Sequence, residues 1–417
     1  VPGYPITDAI PALGEDAQMA MNEKVAMEVA LGASATGRRS IVLVKHLGIN
    51  LLSDPLSISP THTIGAGLVV LAGEDVGPRG SQAEMDVRNY GPLCEIPILD
   101  PSGPDLLGQA LLEAFNLSEK IRVPVMVRTT FEFGKSARNL KLVQSVDGAE
   151  KKDEGGFGTF DRSIWDLTSK GRHQRYRSSV LPEMSRASGT SSLNLLRDSD
   201  GDIGIIASGR PASLALNLET ELPLMIVGFS HPLPWEMIRD FTRVHERILV
   251  AEEPTPFIES RLQISENVFG KVTGHLPWGR MEAKDIEQAL ELIESGTLPG
   301  PGPRPQRFLD RPASKNVCDD CPYRPVYEAV RNLNVPVAGD AGCSIRAVRP
   351  PLEAVDVVYG LGSSVGVASG FGKKGVALVG DYALAHSGLQ GLIDSVNNKR
   401  EVLVILLQNG VAAMTGG

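Results

Sequence analysis

Short, continuously apolar runs recur along this chain, each separated from the next by a stretch of helical patterning, and that alternation limits its fold more than any other feature. The clearest runs are SIVLVK (40–45), GLVVLAG (67–73), IPILD (96–100), VPVMVRT (123–129), DIGIIASG (202–209), LPLMIVG (222–228), RILVAEE (247–253), GVALVGD (375–381) and EVLVILL (401–407). Strands without polar alternation are those buried on both faces, as in parallel sheets covered by helices. The expected class is therefore α/β, with three consecutive parallel-sheet units. Ahead of the first run, EKVAMEVALGASATG sets Val25, Met27, Val29 and Leu31 among small residues, which predicts a helix packed closely on the sheet.

Composition shifts divide the chain. Residues 1–146 form the first unit, and 147–194, with AEKKDEGGFGTFDR and SRASGTSS, read as a polar connector with little core of its own. A second unit spans 195–294, a Pro/Gly-rich linker 295–316, and a third, incomplete unit 317–417. Proline-rich linkers are semi-rigid and solvent-facing. The chain opens on Val1-Pro2-Gly3 without an initiator Met and closes on LLQNGVAAMTGG, a polar loop leaving a strand. The expectation is a piece of a longer polypeptide that continues past Gly417 with further βα segments and a cysteine.

The net charge of −9 argues against a nucleic-acid partner, which calls for a basic face. No apolar run approaches the roughly 20 residues that span a bilayer, so no membrane role is expected. Four cysteines in 417 residues are too few for a disulfide scaffold and point to the reducing cytoplasm.

Gly380-Asp381 ends one apolar run, and Asn409 follows the next, 28 positions after Asp381, with LQGLIDSVNNK as the crossover helix. A carboxylate and an amide oxygen at the ends of adjacent parallel strands can converge on one hard cation, and Mg²⁺ takes a few protein oxygens plus substrate phosphates. The bland alternative is a strand-end turn. The spacing is that of the thiamine diphosphate motif, in which Asp381, Asn409 and the backbone carbonyl of Val411 would hold the metal on the diphosphate. Gly380 and Thr415 flank these positions as cofactor-binding candidates.

The segment GDYALAHSGLQGLIDSVNN…NGVAAMTGG resembles the diphosphate-binding region of the alpha subunit of indolepyruvate ferredoxin oxidoreductases, within the 2-oxoacid:ferredoxin oxidoreductase superfamily. GYPIT, MNEKVAMEVALGAS, VKHLGINLLSDPL, SQAEMDVRNYG and CDDCPYR…GDAGC resemble segments of that subunit in the same order. The resemblance implies a pyrimidine domain, a transketolase C-terminal-like domain and a diphosphate domain, in that order. It also implies oxidative decarboxylation of a 2-oxoacid, such as indolepyruvate or another arylpyruvate, with coenzyme A as acyl acceptor and ferredoxin as electron acceptor. A beta subunit would complete a hetero-oligomer. The implied cofactors are thiamine diphosphate, Mg²⁺ and a [4Fe–4S] cluster.

Thiamine chemistry needs a carboxylate at N1′ of the aminopyrimidine. Glu23 and Glu28 are the candidates; five positions turn about 500° around a helix, so they do not share a face. The resemblance assigns Glu23, whose alternative role is a helix N-terminal charge favoured by the dipole. A 2-oxoacid carboxylate suits the planar fork of an arginine. The resemblance points to Arg88 and to Thr7 for substrate contact; surface ion pairing and helix capping are the alternatives. His46, beside Lys45 at a strand end, is a further substrate-binding candidate, or else a packed residue.

Cys318, Cys321 and Cys343 form a CxxC…C pattern that by itself fits zinc or disulfide exchange. The resemblance makes them three ligands of the [4Fe–4S] cluster, with the fourth beyond Gly417. Such clusters take four cysteines, and Cys94 reads as a buried strand-edge residue instead. Asp319-Asp320 stand where the family carries Pro-Gly. Two rival functions remain: a non-redox thiamine-dependent decarboxylase and a silent, zinc-binding assembly subunit.

Overall fold

In the computed structural model, the apolar runs become the strands of three sheets. The structure describes residues 5–7, 9–10, 17–78, 81–130, 164, 169–219, 221–262, 267–299, 316–372 and 374–411. In chain order the strands are β1 (Ser40–Lys45), β2 (Leu68–Gly73), β3 (Ile98–Leu99), β4 (Val125–Thr129), β5 (Leu195–Arg197), β6 (Ile203–Ala207) and β7 (Leu224–Ile226). There follow β8 (Phe229–His231), β9 (Arg247–Ala251), β10 (Val268–Phe269), β11 (Val337–Gly339), β12 (Val357–Val358), β13 (Gly375–Gly380) and β14 (Val402–Leu407).

The chain divides into two compact units, Val1–Leu309 and Asp310–Gly417. The first holds two five-stranded sheets, ordered β1-β2-β4-β3-β8 and β10-β9-β6-β7-β5. Leu, Val and Ala fill β2, and all six of its residues are buried, because parallel neighbours on both edges and helices on both faces leave no side exposed to water. The second unit holds one four-stranded parallel sheet, β12-β11-β13-β14, in which Gly380 pairs with Leu407 at the carboxyl ends of β13 and β14.

Pairing is parallel except at two places. β8 runs antiparallel to β3, and β5 runs antiparallel to β7. The middle segment therefore lends β8 to the first sheet, which patterning alone did not foresee. Among the described residues β14 pairs with β13 alone, and Leu403 and Leu406 are exposed.

The polar connector also needs correction over its described part. Ser169–Arg175, Tyr176–Val180 and Leu181–Thr190 run on as helix, and Tyr176, Val180 and Met184 enter the first core. Residues four apart share one face of a helix, so a stripe one residue wide packs inward while the average composition stays polar. Cys94 is buried as expected, but at the end of the short helix Tyr90–Cys94. Among the described residues no helix is long and apolar enough to cross a membrane.

Candidate active site

In the second unit, the register of β13 and β14 brings the chain after Gly380 and the chain after Leu407 to the same end of the sheet, the end at which open α/β sheets bind ligands. Asp381 Oδ2 accepts the Gly410 N–H at 2.7 Å, and Oδ1 accepts the Tyr382 N–H at 2.8 Å. Asn409 Oδ1 accepts the Val411 N–H at 3.2 Å. Asp381, Asn409 and Val411 are thus gathered by the fold, while Thr415 lies outside the described residues. A carboxylate offers about four lone-pair sites, so the two N–H bonds leave Asp381 free to bind a cation. One carboxylate, one amide oxygen and one carbonyl form a hard donor set that fits Mg²⁺. Gly380 has φ −74°, open to any residue, and a Cβ there would meet no atom within 4 Å. Neither backbone nor packing requires glycine at that point, and its absent side chain leaves room for a ligand.

The same sheet end holds a feature that motif reading passed over. Asp340 follows β11 and accepts the Ser364 N–H at 3.0 Å, while its Oδ2 and Ser364 Oγ are buried without a hydrogen-bond partner. Burial raises the Asp340 pKa. The feature's sequence signal is the Asp of GDAGC, three positions ahead of Cys343.

In the first unit, helix α1 (Glu23–Ala35) begins where Asn22 Oδ1 accepts the Val25 N–H at 2.9 Å, an N-cap of the usual kind. Glu23, Met27, Ala30 and Ser34 form its buried face. The two carboxylates part company here. Glu23 is only 5% exposed, whereas Glu28 pairs at the surface with Lys24 at 3.2 Å. Glu23 packs against Gly48, the N-cap residue of helix α2 (Ile49–His62).

Two substrate candidates are corrected. The Arg88 side chain is fully buried, and every N–H of its guanidinium is engaged: Nε and Nη2 bind Asp86 at 2.9 and 2.6 Å, Nη1 binds Glu252 at 2.7 Å and Ser208 at 3.3 Å, and Nη2 also binds the Thr255 carbonyl at 3.0 Å. No donor remains for a substrate carboxylate. Its neighbour in this charged core is Arg128, which pairs with Glu74 and, at 2.7 Å, with Asp100. His46 is likewise fully buried, with Nε2 on the Ala83 carbonyl at 3.0 Å and Nδ1 facing the Asp75 N–H at 3.4 Å. Burial lowers its pKa, so it is a neutral packing residue. Thr7 is half-buried, next to Ile6, which lies over Gly73 at the carboxyl end of β2.

Cys318, Cys321 and Cys343 are free thiols. Burial raises the pKa of Cys343, Arg346 lowers it, and Cys321 and Cys318 raise it further. Their donor chemistry suits a thiophilic centre, yet among the described residues no group of three His, Cys, Asp or Glu side chains is disposed to hold a metal ion.

Residues 340–417 match the family model for the thiamine pyrophosphate enzyme C-terminal TPP binding domain, which sets the class as a thiamine pyrophosphate enzyme. The chain is 32% identical to indolepyruvate oxidoreductase subunit IorA of Methanothermobacter marburgensis, covering 96% of this chain and 68% of that one. Against IorA of Archaeoglobus fulgidus the identity is 30%, over 95% of this chain and 67% of the relative, and against IorA of Pyrococcus horikoshii 28%, over 100% and 72%. The chain belongs to the IorA family of thiamine pyrophosphate-dependent oxidoreductases. A 2-oxoglutarate:ferredoxin oxidoreductase from Magnetococcus marinus, solved with 2-oxoglutarate, coenzyme A and succinyl-CoA, superposes with a TM-score of 0.48 at 16% identity, covering 68% of this chain and 58% of that one.

Proposed function

We propose that this chain carries the thiamine diphosphate chemistry of an arylpyruvate:ferredoxin oxidoreductase, converting a 2-oxoacid such as indolepyruvate to its acyl-CoA with release of CO₂. The observation that carries the reading is the joining of Asp381 to the Asn409–Val411 loop in a chain related along most of its length to indolepyruvate oxidoreductase subunits. In the proposed division of labour, residues 1–146 serve the pyrimidine, 195–294 form the transketolase C-terminal-like domain, and 317–417 serve the diphosphate.

Bound thiamine diphosphate supplies a carbon nucleophile for the 2-oxo carbon and a sink for the electron pair that decarboxylation releases. The Glu23 carboxyl, buried on the inner face of α1, would hold a proton at N1′ of the aminopyrimidine. Asp381, Asn409 and the Val411 carbonyl would hold Mg²⁺, with Gly380 and Thr415 proposed as further cofactor-binding residues. With Arg88 committed to the core, the Thr7 hydroxyl is the remaining proposed contact to the substrate. Cys318, Cys321 and Cys343 would be the thiolates offered to an iron–sulfur cluster, which supplies one-electron acceptor chemistry when bound, although the described structure does not arrange them as a metal site. The relatives are named as subunits, which supports a partner subunit and a hetero-oligomer. Four free thiols fit the cytoplasm.

The test is ferredoxin reduction by the assembled complex given indolepyruvate, coenzyme A, Mg²⁺ and thiamine diphosphate. Reduction that requires all four supports the reading. Release of CO₂ and an aldehyde without ferredoxin reduction would establish a non-redox decarboxylase instead.

A further inference from the structure

We propose that Gly48 is a positioning residue for the Glu23 carboxylate. This inference rests on the reading of Glu23 as the group that serves the cofactor. Gly48 is buried at the N-cap of α2, with φ −71° and ψ −19°, an ordinary right-handed conformation open to any L-residue. Backbone geometry therefore gives no reason for glycine. Replacing glycine by alanine in such a conformation ordinarily stabilises a protein by restricting the unfolded chain. What a side chain would displace is Glu23: a Cβ on Gly48 would sit 2.7 Å from Glu23 Cγ, 2.7 Å from Cδ and 2.7 Å from Oε1, and these are its three nearest atoms.

The Glu23 side chain thus lies along the bare face of Gly48. Its Cα end is fixed by the capped first turn of α1, where Asn22 holds the Val25 N–H. Its carboxyl end is confined by the start of α2. Two helices packed together fix both ends of one flexible side chain, which is how a proton-transfer group keeps its aim. A methyl group on Gly48 would push the carboxyl on the order of 1 Å to restore ordinary contact at about 3.5–4.0 Å. A misplacement of that size costs a reaction about a hundredfold.

The experiment compares exchange of the C2 proton of bound thiamine diphosphate in the assembled complex for the parent, Gly48→Ala, Glu23→Gln and the double variant Glu23→Gln/Gly48→Ala. Gly48→Ala is expected to slow exchange about a hundredfold with cofactor affinity unchanged, and to add nothing in the Glu23→Gln background, since two changes acting through one group are not additive. Parent-like exchange in Gly48→Ala, with Glu23→Gln slow, overturns the inference and leaves the role of Glu23 standing. Parent-like exchange in Glu23→Gln removes both. Should Gly48→Ala fail to fold, Glu23→Ala/Gly48→Ala is expected to fold, because Cγ, Cδ and Oε1 are gone; a double variant that stays unfolded also overturns the inference.

Discussion

Arg88 Nη1 donates to Glu252 Oε2 at 2.7 Å across 164 residues of sequence, tying the turn after the first sheet's β2 to the end of β9 in the second. Asp86 completes the pairing at 2.6 Å, and burial would oppose the charges were they not matched. An arginine so placed holds two sheets of one unit together.

Arg88→Ala should therefore act on stability. Removing one partner of a buried ion pair costs about 3–5 kcal/mol, and urea unfolding should show a loss of that order. The KM for the 2-oxoacid should stay near the parent value in whatever fraction remains folded. A raised KM at unchanged stability would return Arg88 to the substrate.

Asp381→Ala removes the one carboxylate proposed for Mg²⁺ and also the acceptor of the Gly410 and Tyr382 N–H groups. Calorimetry with thiamine diphosphate and Mg²⁺ should find no binding. Asp381→Asn, which keeps an oxygen for one of the two N–H groups, should retain the loop but bind more weakly. Parent-like affinity in Asp381→Ala would remove this site.

His231 ends β8, where a Cβ on Gly91 would lie 2.6 Å from its ring, and burial, aided by Arg261, lowers its pKa to about 4. The folded protein therefore keeps the ring neutral while the unfolded chain takes up a proton below about 6.5. Stability should be intact above pH 6.5 and should decline as pH falls toward 4, by on the order of 3 kcal/mol from this group. Thermal midpoints of parent and His231→Asn across that range check it. An equal decline in the variant would assign the effect elsewhere.

The long strands were legible because β1, β2, β4, β6, β9, β13 and β14 each carry several apolar residues in a row, a pattern few other structures produce. β12, with two residues, and β3, with two, fall below the length at which patterning speaks. The antiparallel edges β5 and β8 depend on which neighbour a strand finds, and sequence order does not state that. The placement of Asp381 and Asn409 at one sheet end was readable because both follow long apolar strands. Arg88 was misread because a charged residue in isolation gives no sign of partners at Glu252 and Thr255. Gly48 lies within VKHLGINLLSDPL, where nothing local calls for glycine, because the group it faces is a side chain on another helix.

The three thiols of the second unit admit a spectroscopic check. Anaerobic reconstitution of the complex with iron and sulfide should give cluster absorbance, and Cys321→Ala should reduce it along with ferredoxin reduction. Stoichiometric zinc without cluster absorbance would favour the assembly-subunit role for the cysteines.

Exchange of the C2 proton of bound thiamine diphosphate, followed in Glu23→Gln and Glu28→Gln complexes beside the parent, tests the account most directly. Glu23 is buried on the inner face of α1, and Glu28 is paired with Lys24 at the surface. The amide at position 23 cannot hold the proton at N1′, so exchange in Glu23→Gln should fall by about two to four powers of ten, the usual worth of a positioned acid or base, while Glu28→Gln exchanges at the parent rate. Slow exchange in Glu28→Gln with a parent-like rate in Glu23→Gln would contradict the account.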